Sequence, residues 1–483
     1  MLIRLCVLTI IFASSVFAQL TGLQVSTPQG PVIGTLVNST PLNATEFGDS
    51  CLQALNPSSV EFLLLAGLDN STIFVPESEN CLTVNIWTPS IDRKQNAAVL
   101  LWVYGGGFQF GTSNIPTYNG QNIVRDNDDI LVVTFNYRLN IFGFPSAPQL
   151  MSNTTQPQNF GLLDLDAVVQ WVHDNIAEFG GDPDRVVLFG QSAGGAAIDA
   201  YTFAHPQDTR VRGVIEESGS LGGIVNTTTT AVPTTPSPWN IIAMIDAAQL
   251  ACMEQVPFRE LEDAVISTDT NFGPIPDGIT IFADTPARAV AGNFLHVPLL
   301  GGTVENEADI FVVGAELLAA GVVVPDLTEI LSDLETQIGF TCLAGTTALS
   351  RLNANVPTWR YQYQAVFPDI STRPDIRAYH ASELPVVFGT MPDPSATEKA
   401  LSRFVQSAWV AFARNSAQGL VDIGWPQYSP NTTTLAQIGN FFNQTGITFT
   451  QGQLLDFPCN SIPTLLNVSA QLTALLGPAG AGL

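Results

Sequence analysis

The stretch that most constrains this chain runs from Arg185 to Gly195 and reads R-V-V-L-F-G-Q-S-A-G-G. Residues Val186 to Phe189 are apolar and β-branched or aromatic, which predicts a short strand buried on both faces. The pattern G-x-S-x-G follows at Gly190 to Gly194, and the next residues are compatible with a helix. A serine between glycines at a sharp strand-to-helix turn can expose a nucleophilic hydroxyl. The pattern alone also fits an ordinary Gly/Ser turn, so the rest of the chain has to decide.

The composition predicts a large globular protein and disfavours negatively charged partners. Of 483 residues, 46% are hydrophobic and 12% are charged, which is enough for a large core in one or two domains. The formal net charge of −26 at pH 7 repels nucleic acid and anionic membrane surfaces, so we expect neither as a partner. No stretch beyond the N-terminus is long enough to span a bilayer, so we expect no stable membrane insertion. The composition leaves the oligomeric state open.

The N-terminus predicts secretion. Residues Met1 to Ala18 combine a positive residue, Arg4, with a short apolar run and a small-residue cleavage site before Gln19, which is typical of a signal peptide. A membrane anchor is the alternative, and the shortness of the apolar run disfavours it. We expect an extracellular protein in which residues 19–483 form a single domain.

Secretion makes the N-x-S/T sequons candidates for glycosylation on exposed loops. Asn38 is the weakest candidate because Pro41 follows its threonine. The candidate asparagines are Asn38, Asn43, Asn70, Asn153, Asn226, Asn431, Asn443 and Asn467.

Cysteine and histidine usage argues against a metal site. Removal of the signal peptide removes Cys6 and leaves an odd number of cysteines, so at least one thiol has no partner within the chain. The cysteine spacing does not suit zinc, and the four histidines are scattered. We therefore expect no metal and no cofactor. The remaining cysteines are Cys51, Cys81, Cys252, Cys342 and Cys459.

Strand-like and helix-like segments alternate along the chain. The alternation predicts an α/β protein with a mostly parallel central sheet flanked by helices on both faces. An N-terminal hairpin is expected over 24–35, and the Thr/Pro-rich segment 226–238 reads as a surface loop. Expected strands are 82–87, 98–104, 130–137, 186–189, 211–216, 297–300 and 358–364, and expected helices are 163–179, 239–267, 315–338 and 399–415.

The order of polar residues after Ser192 suits a serine hydrolase on such a sheet, where an acid and then a histidine follow the nucleophile. Of the four histidines, only His380 follows Ser192 at a distance that leaves room for an acid on another strand. We interpret His173, His205 and His296 as surface or packing residues.

The acid should lie on a loop after a buried strand, and the stretch after 297–300 is the best position. This stretch contains three candidate acids, Glu305, Glu307 and Asp309, and their spacing in the sequence does not show which of them is the partner of the histidine.

A glycine run, Gly105 to Gly107, follows a buried strand well before the serine. Backbone N–H groups of such a loop, together with the amide after the nucleophile, can bind the oxyanion of a tetrahedral intermediate. Glycine is needed there because a Cβ would keep the substrate carbonyl away from the N–H groups.

Together these motifs resemble the type-B carboxylesterase/lipase family. The resemblance implies an α/β-hydrolase fold with lid or cap insertions, and cleavage of small-molecule or lipid esters through an acyl-enzyme. It extends over nearly the whole mature chain. The matching pieces are Ser78 to Asn85, Tyr104 to Phe108, Gly161 to Asp164, Phe179 to Pro183, Val187 to Gly194, Glu217 to Gly219, Val297 to Phe311 and His380 to Gly389.

Carried over residue by residue, the resemblance implies Ser192 as nucleophile, Glu307 as acid and His380 as base. Gln191 stands where much of the family has glutamate, and Ala308 replaces the usual glycine after the acid. The implied oxyanion hole consists of the amides of Gly106, Gly107 and Ala193.

The resemblance also implies a Cys51–Cys81 disulfide that closes a lid-like loop over about residues 51–81. We further expect a Cys342–Cys459 disulfide. The apolar stretch Phe62 to Leu68 in the loop suits acyl chains or simple packing against the body. The loop lacks the tryptophan with which cholinesterases bind quaternary ammonium, so choline esters are disfavoured.

Three functions stay open at this stage. The first is a secreted carboxylesterase. The second is a lipase or sterol esterase with a working lid. The third is a binding protein on the same fold, which the presence of both Ser192 and His380 disfavours. Feruloyl and mycotoxin esters also fit the first reading.

Overall fold

The computed structural model describes residues 24–27, 30–33, 47–89, 96–147, 157–223, 252–319 and 325–461. The expected signal peptide and the Thr/Pro-rich segment lie outside the described residues. Five sequons also lie outside them, those at Asn38, Asn43, Asn153, Asn226 and Asn467. Of the other three, Asn70 and Asn431 are exposed and Asn443 is half-buried.

The described strands form one nine-stranded sheet and a separate hairpin. In chain order they are β1 Gln24–Thr27, β2 Gly30–Ile33, β3 Val84–Trp87, β4 Ala97–Val103, β5 Ile130–Phe135, β6 Gly181–Gln191, β7 Val211–Glu217, β8 Leu299–Val304, β9 Thr358–Tyr363, β10 Thr433–Ile438 and β11 Ile447–Gln451. The strands β1 and β2 pair as the expected antiparallel hairpin. The order in the large sheet is β11-β10-β9-β8-β7-β6-β4-β5-β3.

The large sheet is parallel from β10 to β5, and its two edge strands, β3 and β11, are antiparallel to their neighbours. Every residue of β4 and β5 is buried. Continuous apolar strands of this kind belong to sheets that are covered on both faces. The prediction of a mostly parallel α/β sheet is therefore confirmed.

Helices connect the strands and pack against them. In chain order the described helices are α1 Pro57–Leu65, α2 Asn70–Ile73, α3 Gln121–Asp126, α4 Asn140–Gly143, α5 Phe160–Asn175, α6 Ala193–Ala204, α7 Phe258–Ser267, α8 Thr285–Ala291, α9 Asp309–Ala319, α10 Pro325–Thr336, α11 Cys342–Asn353, α12 Leu384–Phe388, α13 Ala396–Arg414, α14 Gly419–Asp422 and α15 Gly452–Asp456. Helices α5, α6 and α13 lie against β6, and α11 lies against β8 and β9.

The parallel arrangement brings the candidate catalytic residues to one edge of the sheet, because parallel strands carry their carboxyl ends on the same side. Gly105 follows β4, Ser192 follows β6 and Glu307 follows β8. His380 precedes α12, whose last residue, Phe388, packs in the core against Trp102 of β4 with ring centroids 5.0 Å apart. This contact anchors the histidine segment to the centre of the sheet.

The strand expected to end at Gly301 and Gly302 continues through both glycines to Val304. The reason lies in the neighbouring strand β9. A Cβ at Gly302 would overlap the ring of Tyr361, so glycine lets this aromatic side chain lie across β8. Gly302, which together with Gly301 suggests a turn in the sequence, is thus a packing requirement of the sheet.

One other expectation differs from the structure, and one element was not expected. The helix expected over 239–267 is interrupted in its described part, because the chain turns before Pro257 and α7 begins only at Phe258. The hairpin of β10 and β11 was not predicted at all. Its strands are short, and β11 is half-buried along its whole length.

The structure contains two disulfides. Cys51 bonds to Cys81 across 30 residues, and Cys342 bonds to Cys459 across 117 residues. Among the described cysteines, Cys252 is unpaired and exposed.

Loss of the Cys342–Cys459 bridge is expected to destabilise the protein. Replacing both cysteines by serine should lower the free energy of unfolding by about 2 to 4 kcal/mol, because the bridge restricts a long loop of the unfolded chain. Thermal unfolding of the double variant measures the effect. The Cys252→Ser variant is the matched control and should unfold with the parent protein. An unchanged melting temperature for the double variant would contradict the prediction.

Candidate active site

Ser192 lies on a strained turn between β6 and α6. Its backbone has φ 57° and ψ −126°, a conformation that L-residues rarely adopt. Its N–H donates to the carbonyl of Glu217 at 2.8 Å, and its own carbonyl accepts from the N–H of Ala196 at 3.0 Å. A Cβ at Gly194 would overlap the carbonyl of Val103. The flanking glycine therefore permits the close approach that holds the serine on this turn.

The structure brings Glu307 and His380 together. The Oε2 atom of Glu307 lies 2.6 Å from Nδ1 of His380, and Oε1 accepts from the N–H of Val304 at 2.8 Å. The two segments are also joined through the backbone, since the N–H of His380 donates to the carbonyl of Glu307 at 3.3 Å. Both side chains are almost fully buried, with 2% and 0% of the residue exposed for His380 and Glu307.

The other two carboxylates of this loop are engaged elsewhere. Glu305 accepts a hydrogen bond from Gln364 at 2.7 Å. Asp309 pairs with Arg377, whose Nε and Nη2 atoms lie 2.8 and 2.9 Å from its carboxylate oxygens. Of the three candidates that spacing left open, Glu307 is thus the one whose carboxylate reaches His380.

The remaining histidines make contacts outside this site. His173 contacts Asp174, His205 contacts Asp166 and His296 contacts the carbonyl of Gly292.

The hydroxyl of Ser192 makes no hydrogen bond to any described residue. Instead, the Nε2 atom of Gln191 lies 3.1 Å from Nε2 of His380. The sequence analysis noted Gln191 only as a replacement for the glutamate that much of the family has at this position. Its position directly before the serine is the signal that places it beside the histidine.

The glycine run passes directly against the serine. A Cβ at Gly105 would lie 2.8 Å from the Cβ of Ser192. Gly106 and Gly107 have φ values of 105° and 60°, a region that favours glycine. A Cβ at Gly107 would meet nothing within 4 Å, so this residue faces open space. Within the described residues, the N–H groups of Gly106, Gly107 and Ala193 donate to no acceptor.

An aromatic wall lies against the histidine. The rings of Phe311 and Phe340 lie 5.3 and 4.9 Å from the ring of His380. Phe62, on helix α1 of the expected lid loop, stacks on Phe311 with centroids 5.3 Å apart and planes 10° apart. Phe110 lies 6.0 Å from Phe62. The sequence placed Phe62 in an apolar flap but gave no signal for Phe340, which comes from a different helical segment.

Two buried carboxyl groups lie beneath the site. Burial raises the pKa of Glu217 to about 8, although a hydrogen bond from the indole of Trp409 at 2.6 Å opposes the shift. Burial also raises the pKa of Glu383 well above its usual range, and the nearby carboxylates of Glu217 and Glu307 add to the effect. Glu217 is therefore mainly neutral at pH 7, and burial favours the neutral form of Glu383 as well.

In the described ranges, no group of three or more His, Cys, Asp or Glu side chains is arranged to hold a metal ion. None of the helices described combines the length and the apolar character that a membrane span requires.

Comparison with known proteins gives the family. The Carboxylesterase family model matches residues 37–318 and 320–454. The chain is 33% identical over 392 residues to Secreted lipase 5 of Gibberella zeae, with 75% of this chain and 73% of that protein covered. It is 32% identical over 494 residues to Chlorogenic acid esterase of Aspergillus niger, with 90% and 92% covered. It is 31% identical over 428 residues to Para-nitrobenzyl esterase of Bacillus subtilis, with 81% and 83% covered.

A solved structure of a PNB esterase matches with a TM-score of 0.69 and 26% sequence identity, covering 92% of this chain and 99% of that chain. The chain belongs to the carboxylesterase family. It has the α/β-hydrolase fold and is a carboxylic ester hydrolase.

The buried carboxyl of Glu217 predicts a pH dependence of stability. The pKa of Glu217 in the folded protein, about 8, lies above the ordinary value of 4.5. The protonated carboxyl therefore contributes fully to the free energy of unfolding below pH 4.5, and this contribution is lost as the pH rises to 8. The loss approaches about 1.4 kcal/mol per pH unit inside that window. The Glu217→Gln variant keeps an oxygen for Trp409 and should lose less stability between pH 5 and 8. Thermal unfolding at several pH values measures this, and an unchanged slope for the variant would contradict it.

Proposed function

We propose that this chain hydrolyses esters through an acyl-enzyme on Ser192, with His380 as general base and Glu307 as its acid partner. The observation that carries the proposal is the buried contact of 2.6 Å between Glu307 and His380, beside a serine on a strained turn. The free N–H groups of Gly106, Gly107 and Ala193 support an oxyanion hole at the same place.

The mechanism follows from these positions. His380 takes the proton of the Ser192 hydroxyl as Oγ attacks the ester carbonyl, and Glu307 stabilises the imidazolium through Nδ1–H. The three free amides bind the oxyanion, and loss of one such donor typically raises the barrier by about 3 to 4 kcal/mol. His380 then gives its proton to the leaving alkoxide. Water then attacks the acyl-enzyme by the same steps, with His380 again as the base, and the carboxylic acid is released.

The aromatic wall supports esters with a flat aromatic or apolar group. The rings of Phe62, Phe311 and Phe340 are nearly parallel, with interplanar angles of 10° and 6° along the series. Flat rings pack well against such faces. The names of two relatives, Chlorogenic acid esterase and Para-nitrobenzyl esterase, agree with substrates of this shape. We therefore infer aromatic carboxylic esters as the favoured substrate class.

A lipase is the second candidate. It is favoured by the likeness to Secreted lipase 5 and by helix α1, which lies inside the Cys51–Cys81 loop and leaves Leu64 42% exposed. A mobile α1 would act as a lid, whereas a fixed α1 forms one wall of the site. The packing of α1 against α9 supports the fixed wall.

We also infer that the protein is secreted and that Asn70, Asn431 and Asn443 carry glycans. The signal-like N-terminus, the two disulfides and the exposure of Asn70 and Asn431 support this. The continuous sheet from β3 to β11 supports a single domain over 19–483.

Hydrolysis should depend on Ser192 and on the acyl group. Initial rates on p-nitrophenyl esters from acetate to palmitate, with p-nitrophenyl benzoate included, should be lost in Ser192→Ala. A maximum at short or aromatic acyl groups supports the carboxylesterase. A maximum at long chains that rises once the substrate forms an interface supports the lipase. Rates that persist in the purified Ser192→Ala variant would contradict the acyl-enzyme.

The wall residue Phe62 should affect aromatic esters selectively. The Phe62→Ala variant lacks this stacked ring. We expect its kcat/KM for the benzoate to fall about tenfold relative to its kcat/KM for the acetate. Leu64→Ala, on the exposed face of the same helix, is the matched control and should leave the benzoate-to-acetate ratio unchanged. Equal losses on both esters for Phe62→Ala would contradict a specific role.

A further inference from the structure

Gln191 contacts the one atom of His380 that the proposed reaction has to use. Gln191 is the last residue of β6 and is 3% exposed. Its side-chain nitrogen lies 3.1 Å from Nε2 of His380, the atom that must accept the proton of Ser192. The hydroxyl of Ser192 makes no hydrogen bond within the described part of the chain, so Gln191 holds this position in the resting enzyme.

The direction of this hydrogen bond follows from the other side of the ring. Since the carboxylate of Glu307 lies 2.6 Å from Nδ1, the proton of the neutral imidazole is on Nδ1 and Nε2 carries the lone pair. Only a donor fits against that lone pair, and the amide of Gln191 supplies one. A hydrogen bond to the neutral form of a base disfavours its protonation.

An ionised carboxylate at the same position would act in the opposite way. It offers no donor to the lone pair, and its negative charge stabilises the imidazolium. Gln191 and glutamate have nearly the same size, so the difference between them is one of charge and donor capacity rather than packing.

The other groups around His380 determine how strongly the charge of the residue at position 191 affects the protonation of the imidazole. Glu307 faces Nδ1 from the loop after β8. Beyond Glu307 lie Glu217 at the end of β7, Tyr361 on β9 and Glu383 in the segment of His380 itself. Burial raises the pKa of all three side chains and so favours their neutral forms. Phe311 and Phe340, which cover the ring, carry no charge.

We propose that Gln191 is a positioning residue that holds His380 as the neutral Nδ1–H tautomer and yields Nε2 to Ser192 when the ester binds. Because the amide is uncharged, it does not stabilise the imidazolium as an ionised glutamate would. The inference rests on the proposed function of His380 as general base. It extends that function by naming the residue that sets the acid limit of activity.

The test compares pH profiles of kcat/KM for the parent protein, Gln191→Glu and Gln191→Met. In Gln191→Glu the midpoint of the acid limb should rise by about 1 to 2 pH units. Gln191→Met has a similar volume without charge or donor, and its midpoint should rise by less than that of Gln191→Glu. Equal loss of kcat at every pH in both variants, with unmoved midpoints, would mean that Gln191 only fills space and would overturn the proposal.

A second measurement needs no substrate. The chain has four histidines, so nitrogen NMR of the ¹⁵N-histidine-labelled protein can follow His380, identified by its absence in His380→Gln. Nδ1 should be protonated and Nε2 unprotonated in the parent protein, and the titration midpoint should be higher in Gln191→Glu. A protonated Nε2 in the neutral parent protein would overturn the proposal. If this signature holds while no Ser192-dependent ester hydrolysis is found, the proposed function fails and the role of Gln191 in holding the tautomer stands.

Discussion

The site depends on the buried contact between the carboxylate of Glu307 and the imidazole of His380. The two residues are 73 positions apart in the chain, yet their side chains meet at 2.6 Å. The contact forms because β8 delivers Glu307 to the same sheet edge as Ser192. The backbone bond between the His380 N–H and the Glu307 carbonyl then fixes the histidine segment against that loop. Without this contact, neither the tautomer of His380 nor the position of its Nε2 atom would be defined.

The core beneath the sheet edge supports this geometry through packing. Trp102 of β4 contacts Phe189 of β6 and Phe388 of α12, so one aromatic cluster joins the strand of the glycine run, the strand of the serine and the helix after the histidine. Close-packed aromatic contacts tolerate little displacement. The segments that carry Gly105, Ser192 and His380 are therefore held by a rigid core. The Phe62 side of the candidate site comes from a separate loop that a disulfide closes.

The sequence predicted the parts of the fold and site that local patterns encode. The fully apolar strands β4 and β5 and the turn around Ser192 have strong local signals, and the mostly parallel sheet follows from their alternation with helices. The choice among Glu305, Glu307 and Asp309 could not be made from the residues alone, because it depends on which carboxylates the distant Gln364 and Arg377 engage. The strand through Gly301 and Gly302 was missed for the same reason, since the ring of Tyr361 comes from another part of the chain.

The strong negative charge of the chain makes the neutrality of the buried groups important. With a net charge of −26, further ionised carboxylates near His380 would stabilise an imidazolium and reduce the free base that the proposed mechanism needs. Burial favours the protonated forms of Glu217 and Glu383. Gln191 supplies an amide where a carboxyl side chain of the same size would fit. His380 therefore has one carboxylate, that of Glu307, against Nδ1, whereas the uncharged amide of Gln191 lies against Nε2.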